Sequence, residues 1–544
     1  MDRRLISISH FPADTTEPLH EVSVGQLLCA AAADAPDRTA LIEGDPDPSR
    51  RRRWTYDQLL AESEAAARAL LLRFVPGDHV AVWAPNRPEW IFLELGAALA
   101  GLVLVTVNPA YRATELAYVL RQSRAKGLFL VREHRGHDMA GALAEVRSEL
   151  PELRHVVSFD DWAVFSASGR SSAARCGELP GVSPSAPVQI QYTSGTTGRP
   201  KGALLHHRGM VNNARFTAVR GRMGECWINA VPLFHSSGGG LAVFGPLWER
   251  ATLIVVPQFD PGLMLELIEA ERVTFLPGVP TMLLRIIEHP DFERRDLTSL
   301  RAVCSGGTTV PAELVRRIEQ SLGVDFSISY GQTEASPGVT QTFPDDSIDD
   351  KSSTAGPPLP QTEVKIVDTV TGETLPCGEI GELCTRGYLV MHGYFEMPEE
   401  TAKAIDAEGW LHTGDLCSMD DRGYVRVHGR TKDMIIRGGE NIYPKEIEDV
   451  LFLHPAVAEV AVIGVPDREW GEQVAAFIRA APGIARPDER ELHAHVREHL
   501  AHYKTPRHWR FVDEFPLNAS GKILKTELRA RWARSAIDKI DPSV

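Results

Sequence analysis

Apolar positions along the chain follow two patterns that take turns. Short, nearly continuous apolar runs predict buried strands at His79-Val80-Ala81-Val82-Trp83, Leu102-Val103-Leu104-Val105 and Leu128-Phe129-Leu130-Val131. Around them, apolar residues return at helical spacing over 59–72, 89–100 and 116–120, which predicts helices. Alternation of this kind from about 22 to 159 argues for parallel α/β layers. A second alternating block runs from about 188 to 330, with strands at Leu253-Ile254-Val255-Val256 and Arg301-Ala302-Val303-Cys304. The stretch 166–187, rich in Ser, Ala, Gly and Pro, reads as a connector between the blocks.

Beyond 364 the pattern changes. Gly372, Gly378, Gly381, Gly387 and Gly393 punctuate short strands up to about 430, the mark of a small β-rich unit. A further pattern begins at Thr431. Pro444 opens a helix carrying Ile447, Val450 and Leu451; strands follow near 460–465 and 474–478, a helix near 489–500 and a strand near 509–512. The expected fold is α/β: a large N-terminal domain over 1–430, made of two α/β subdomains plus a β-rich one, and a small α+β C-terminal domain over 431–544.

Composition narrows the functions open to such a chain. Of 544 residues, 43% are hydrophobic and 24% charged, which fits a folded globular protein. The formal net charge of −15 removes the broad basic field that non-specific nucleic-acid binding needs. The run Arg50–Arg53 reads as a solvated loop. No membrane span is expected, since the most apolar region, 95–105, is too short and holds Gly96 and Gly101. The apolar stretch at the N-terminus is likewise too short for a signal-peptide core. Seven cysteines without a CxxC pair point to reduced thiols and a cytoplasmic protein, each Cys serving as a small buried apolar residue.

The densest chemistry lies in Tyr192-Thr193-Ser194-Gly195-Thr196-Thr197-Gly198-Arg199-Pro200-Lys201-Gly202. Three glycines let backbone approach a ligand, and the hydroxyls and free N–H groups can surround phosphate oxygens. Lys201 adds a movable positive charge. The segment lacks the Gly-Lys-Ser/Thr ending of a Walker loop.

This segment resembles the phosphate loop of the adenylate-forming superfamily, which includes acyl-CoA synthetases, peptide-synthetase adenylation domains and luciferases. The resemblance continues in order through Pro232-Leu233-Phe234-His235, Tyr330-Gly331-Gln332-Thr333-Glu334, Gly409-Trp410-Leu411-His412-Thr413-Gly414-Asp415, Gly429-Arg430-Thr431-Lys432-Asp433 and Asn518-Ala519-Ser520-Gly521-Lys522. Within the superfamily it is closest to medium- and long-chain acyl-CoA synthetases, through Tyr330 to Pro337 and Arg437 to Pro444.

The resemblance implies ATP, Mg²⁺ and CoA as cofactors and a small-molecule carboxylate as substrate, with acyl-adenylate formed first and a thiol attacking it second. It implies that Glu334 holds Mg²⁺ with Thr193 as a second contact. Ser194, Gly195, Thr196, Thr197 and Gly198 would join Thr193 and Lys201 around the phosphates. Gly306, Tyr330, Gly331 and Thr333 would contact the nucleotide. Asp415 would accept from the ribose hydroxyls, with Arg430 adding a donor. His235 would line the carboxylate side, and Lys522 would bridge carboxylate and α-phosphate. Lys432 would be the hinge of a mobile C-terminal domain, and Gly439 would line a pantetheine tunnel. The Ser-Ser-Gly-Gly-Gly after His235 leaves two readings open, a roomy acyl pocket or a floor supplied from elsewhere. A carrier protein, an amine or an activated small anion such as nitrite is the alternative to acyl transfer onto CoA. A homodimer is compatible with all of these readings.

Overall fold

A computed structural model describes residues 5–176, 178–193, 199–307, 310, 312–481, 483–517 and 523–537. The chain divides into two compact units: Phe11–Val364 with Cys384–His412, and Met1–His10 with Lys365–Leu383 and Thr413–Val544.

The larger unit is built on two sheets. In the first, the strands run in the order Gly393–Tyr394, Lys201–His206, Pro187–Thr193, Val103–Thr106, His79–Trp83, Gly127–Leu130, His155–Ser158. From Pro187–Thr193 onward all neighbours are parallel, whereas Lys201–His206 is antiparallel to both of its neighbours. The second sheet runs Gly338–Gln341, Asp325–Gly331, Ala302–Gly306, Phe275–Pro277, Cys226–Asn229, Thr252–Val255, Thr39–Glu43, Arg53–Thr55. Its six inner strands are parallel and both edges antiparallel. The continuous apolar runs follow from this: a parallel strand covered on both faces buries every side chain, as Val103–Thr106 does. Helix Pro88–Leu99 is buried all round for the same reason.

Three expectations are corrected. The stretch 166–187 is not wholly a connector, because helix Trp162–Cys176 occupies its first half. This helix packs on Tyr56–Leu71 so closely that a Cβ on Gly169 would stand 1.9 Å from the carbonyl oxygen of Ala65. Small residues there serve backbone contact between helices, not a loop. The basic run is a solvated loop only in part: Arg50, Arg52 and Arg53 are exposed as expected, with Arg52 paired to Glu43 and Glu89 and Arg53 to Glu271, but the Arg51 side chain is covered against Glu266. Among the cysteines, Cys304, Cys384 and Cys417 are buried as expected, but Cys29 is exposed and Cys226 and Cys377 are half-buried.

In the smaller unit, strands Glu440–Ile442, Ile435–Arg437, Gly471–Ala480 and Val457–Asp467 follow one another, and His508–Phe511 runs parallel to Gly471–Ala480. Helix Pro444–Phe452 starts on the expected proline, whose missing N–H costs nothing in a first turn, and buries Ile447 and Leu451. Those residues join Val462, Val474, Ile478, Leu492 and Trp509 in one core. The opposite sheet face packs Ile463, Phe477 and Phe515 with Leu528 of helix Lys525–Ile537. At the edge of a further sheet, residues 415–419 pair with Val425–Arg430, placing Asp415 opposite Arg430. Among the described residues, no helix is long and apolar enough to cross a membrane.

Candidate active site

Strands Pro187–Thr193 and Lys201–His206 pair in a register that sets Thr193 opposite Lys201. The glycine-rich segment is therefore the connection of a hairpin whose two ends are held by the sheet. Ser194, Gly195, Thr196, Thr197 and Gly198 lie outside the described residues, as does Lys522.

Thr193 and Lys201 open onto one polar network. The Thr193 hydroxyl donates to Glu334 Oε1 at 3.1 Å, and the Tyr394 hydroxyl donates to the same oxygen at 2.9 Å. Glu334 is buried, in the single turn Thr333–Ala335 that follows strand Asp325–Gly331. Burial and the Glu334 charge raise the Tyr394 phenol well above its usual range, so it stays a donor at any working pH. The Lys201 ammonium lies 5.0 Å from the Tyr394 ring centroid and pairs with Glu400. Glu400 also binds Lys403 at 2.7 Å. Hydrogen bonds from these two lysines hold the Glu400 carboxyl down to about 2.

Glycine is required at two expected nucleotide positions by close backbone approach. A Cβ on Gly331 would stand 1.9 Å from the Pro337 carbonyl oxygen, and one on Gly306 2.2 Å from that of Ser329. Tyr330 sits in the same strand, opposite Thr340.

His235 precedes a π-helical turn, Ser236–Leu241, and its Nδ1 accepts from Ser237 N–H at 3.4 Å. Wide turns of this kind recur at functional sites. The surroundings of Gly238 and Gly239 bear on the two readings of the glycine triplet. A Cβ on Gly238 would stand 2.1 Å from the Pro232 oxygen, and one on Gly239 2.3 Å from the Leu233 oxygen and 3.1 Å from the Trp90 ring. The space that side chains at these two positions would take is filled by backbone and by Trp90, so Gly238 and Gly239 allow the turn to close tightly. Beneath it runs a buried chain: Gln191 Nε2 donates to Gln189 at 2.6 Å, and Gln189 Nε2 donates to Glu94 at 2.5 Å. Complete burial raises the Glu94 carboxyl well above its ordinary value, against the opposing hydrogen bond from Gln189.

In the smaller unit, Arg430 Nε lies 3.2 Å from Asp415 Oδ1, and the Asp415 N–H donates to the Thr413 hydroxyl at 3.1 Å. Asp415 is buried while Arg430 is half exposed. Lys432 follows in the turn Thr431–Asp433, its ammonium lowered by burial and by Arg430. Gly438 and Gly439 form the turn between Ile435–Arg437 and Glu440–Ile442, with φ of +59° and +90°.

Two members of the network, Tyr394 and Glu400, were not among the residues expected from sequence. Both come from Tyr394-Phe395-Glu396-Met397-Pro398-Glu399-Glu400, where nothing in spacing or composition marks a site. Because Glu400 holds the ammonium that should meet phosphate, Glu400→Gln is expected to raise the KM for ATP several-fold. The pair contributes to stability at any pH above the ordinary carboxyl value and is lost only as pH falls toward about 2. The effect should therefore be the same across the neutral range; an unchanged KM would remove Glu400 from any role in placing Lys201.

Comparison with known proteins bears on the same residues. The family model for AMP-binding enzymes matches residues 28–395, and that for the C-terminal domain of AMP-binding enzymes matches residues 446–522. The putative acyl-CoA synthetase YngI of Bacillus subtilis (strain 168) is 40% identical, over 94% of this chain and 97% of that protein. The mitochondrial medium-chain acyl-CoA ligase ACSF2 of Homo sapiens is 36% identical, over 97% of this chain and 90% of that protein. Among solved structures, ATP-bound MatB from Rhodopseudomonas palustris superposes with a TM-score of 0.85 at 30% identity, covering 94% of this chain and 99% of that one.

Proposed function

The chain belongs to the AMP-binding enzyme family, and on that premise we propose that it is an AMP-forming acid–thiol ligase: it activates a medium- or long-chain carboxylic acid with ATP and passes the acyl group to CoA. The observation that carries this reading is the network in which Thr193 and Tyr394 meet Glu334 while Lys201 waits beside them at the end of the glycine-rich connection.

Both reactants of the first step are anionic, so the site must supply positive charge and donors where charge develops on phosphate. Lys201 supplies the first and the hydroxyl-rich connection the second. Glu334 with the Thr193 hydroxyl is an all-oxygen donor pair, the set that suits Mg²⁺. When bound, Mg²⁺ neutralises charge on the phosphate oxygens. Tyr394 keeps the Glu334 carboxylate oriented. His235 stands at the carboxylate side, and Gly306, Tyr330, Gly331 and Thr333 line the nucleotide. Asp415 accepts from ribose hydroxyls, with Arg430 fixing its carboxylate.

Residues 431–544 act in this reading as a lid that turns at Lys432. Lys522 serves the first half-reaction, and the Gly439 turn serves the second. Lys522→Ala is then expected to stop pyrophosphate release yet leave thioesterification of supplied acyl-adenylate largely intact. An equal loss in both half-reactions would refute that division of labour. The absence of disulfides among the described residues fits a reducing compartment such as the cytoplasm, and a homodimer is compatible with the chemistry.

The decisive experiment measures pyrophosphate release with fatty, aryl and amino acids and nitrite, each with and without CoA. Release with fatty acids, and acyl-CoA formed only when CoA is present, is the expected result. Release confined to nitrite or amino acids, or AMP formed with no CoA consumed, would overturn the proposal.

A further inference from the structure

A second group of metal-ligand side chains shares no residue with the Glu334 network. Cys384 lies in strand Gly381–Gly387 and is fully buried. Its Sγ is 3.4 Å from Nδ1 of His412, which lies at the start of strand Leu411–Met419. The other ring nitrogen, Nε2, faces Asp406 Oδ2 at 3.5 Å. Asp406 is itself fixed, because its Oδ1 accepts from the N–H groups of Glu408 and Trp410, each at 2.9 Å.

We propose that Cys384 and His412 form a binding site for a soft divalent cation such as zinc or cadmium, with Asp406 orienting the imidazole. Thiolate and imidazole are the ligand types that such cations select. The spacing fits as well. Zinc sits about 2.3 Å from sulfur and about 2.0–2.1 Å from nitrogen, and at a tetrahedral angle this sets S and N about 3.6 Å apart. The observed 3.4 Å is therefore nearly the required span. In the metal-bound form the thiol gives up its proton and Nδ1 turns its lone pair to the cation. The imidazole then carries its own proton on Nε2, toward Asp406, which is the carboxylate–histidine arrangement that fixes tautomer and ring orientation at metal centres. The His412 side chain is 33% exposed, so a cation can approach from that side and water can complete its coordination. Binding displaces one proton, so affinity rises with pH through the range in which the thiol ionises.

The rival account is an ordinary thiol–imidazole hydrogen bond with no affinity for metal. Cobalt(II) separates the two, because a cobalt–thiolate bond gives a charge-transfer band in the near ultraviolet. The full chain should develop this band with one equivalent of cobalt and lose it on addition of zinc. Cys384→Ser should lack the band. His412→Asn retains the thiol and should lose affinity. Asp406→Asn should keep the band but weaken binding by about 10–100-fold. The apo melting temperature of each variant shows whether it is folded, and His412, being partly exposed, provides the test if Cys384→Ser is not. Absence of the band in the wild-type chain, a band unchanged in Cys384→Ser, or unaltered affinity in His412→Asn would each overturn the site.

Discussion

Glu334→Gln is expected to raise the Mg²⁺ concentration needed for half-maximal pyrophosphate release by about 100-fold or more, with the fold intact. The magnitude follows from a comparison: loss of an outer partner of a metal ligand already costs about 10–100-fold, and Glu334 is the direct ligand in the proposed reading. The fold should survive, because the amide oxygen of Gln can still accept from Thr193 and Tyr394, which both donate to Oε1. Charge is lost and the hydrogen-bond pattern is kept, so the variant isolates the role of charge. Tyr394→Phe makes the complementary change, keeping the carboxylate and the ring beneath Lys201 while removing one donor. A magnesium titration of Glu334→Gln that overlays the wild type would move the ion to other ligands.

The pattern of the chain made the parallel strands legible, since burial on both faces writes an unbroken apolar run, as at 79–83. Pro444 and the residues after it announced a helix for an equally local reason. What stayed hidden depends on partners far away in sequence. Thr193 and Glu334 are 141 residues apart, and both could be inferred only because each sits in a motif of its own. Tyr394 meets Glu334 across 60 residues, and Lys201 meets Glu400 across 199, with no local signature at either Tyr394 or Glu400. Helix Trp162–Cys176 was missed because Ser, Ala and Gly read as a linker whenever the facing backbone is unknown. Arg51 looked solvated for the same reason: Glu266, 215 residues away, reaches it from another element.

Gly439→Leu is expected to keep adenylation and to abolish acyl-CoA formation. Gly439 has φ of +90°, and a Cβ there would meet nothing within 4 Å, so a side chain enters open space and not the core. Its neighbour is different, because a Cβ on Gly438 would stand 2.6 Å from the Trp470 ring and a larger residue there would disturb packing. The cost at 439 is therefore backbone strain alone, about 1–3 kcal/mol for an L-residue held at such a φ. That cost is shared by Gly439→Ala, which adds strain without length. The pair of variants separates the two effects. Both should melt lower than the wild type by similar amounts, and both should release pyrophosphate. Only the leucine variant should fail to form acyl-CoA, because only its side chain is long enough to fill the path of a pantetheine arm. If alanine and leucine impair CoA transfer equally, strain is responsible and the turn does not line that path. If neither impairs it, the thiol reaches the adenylate by another route.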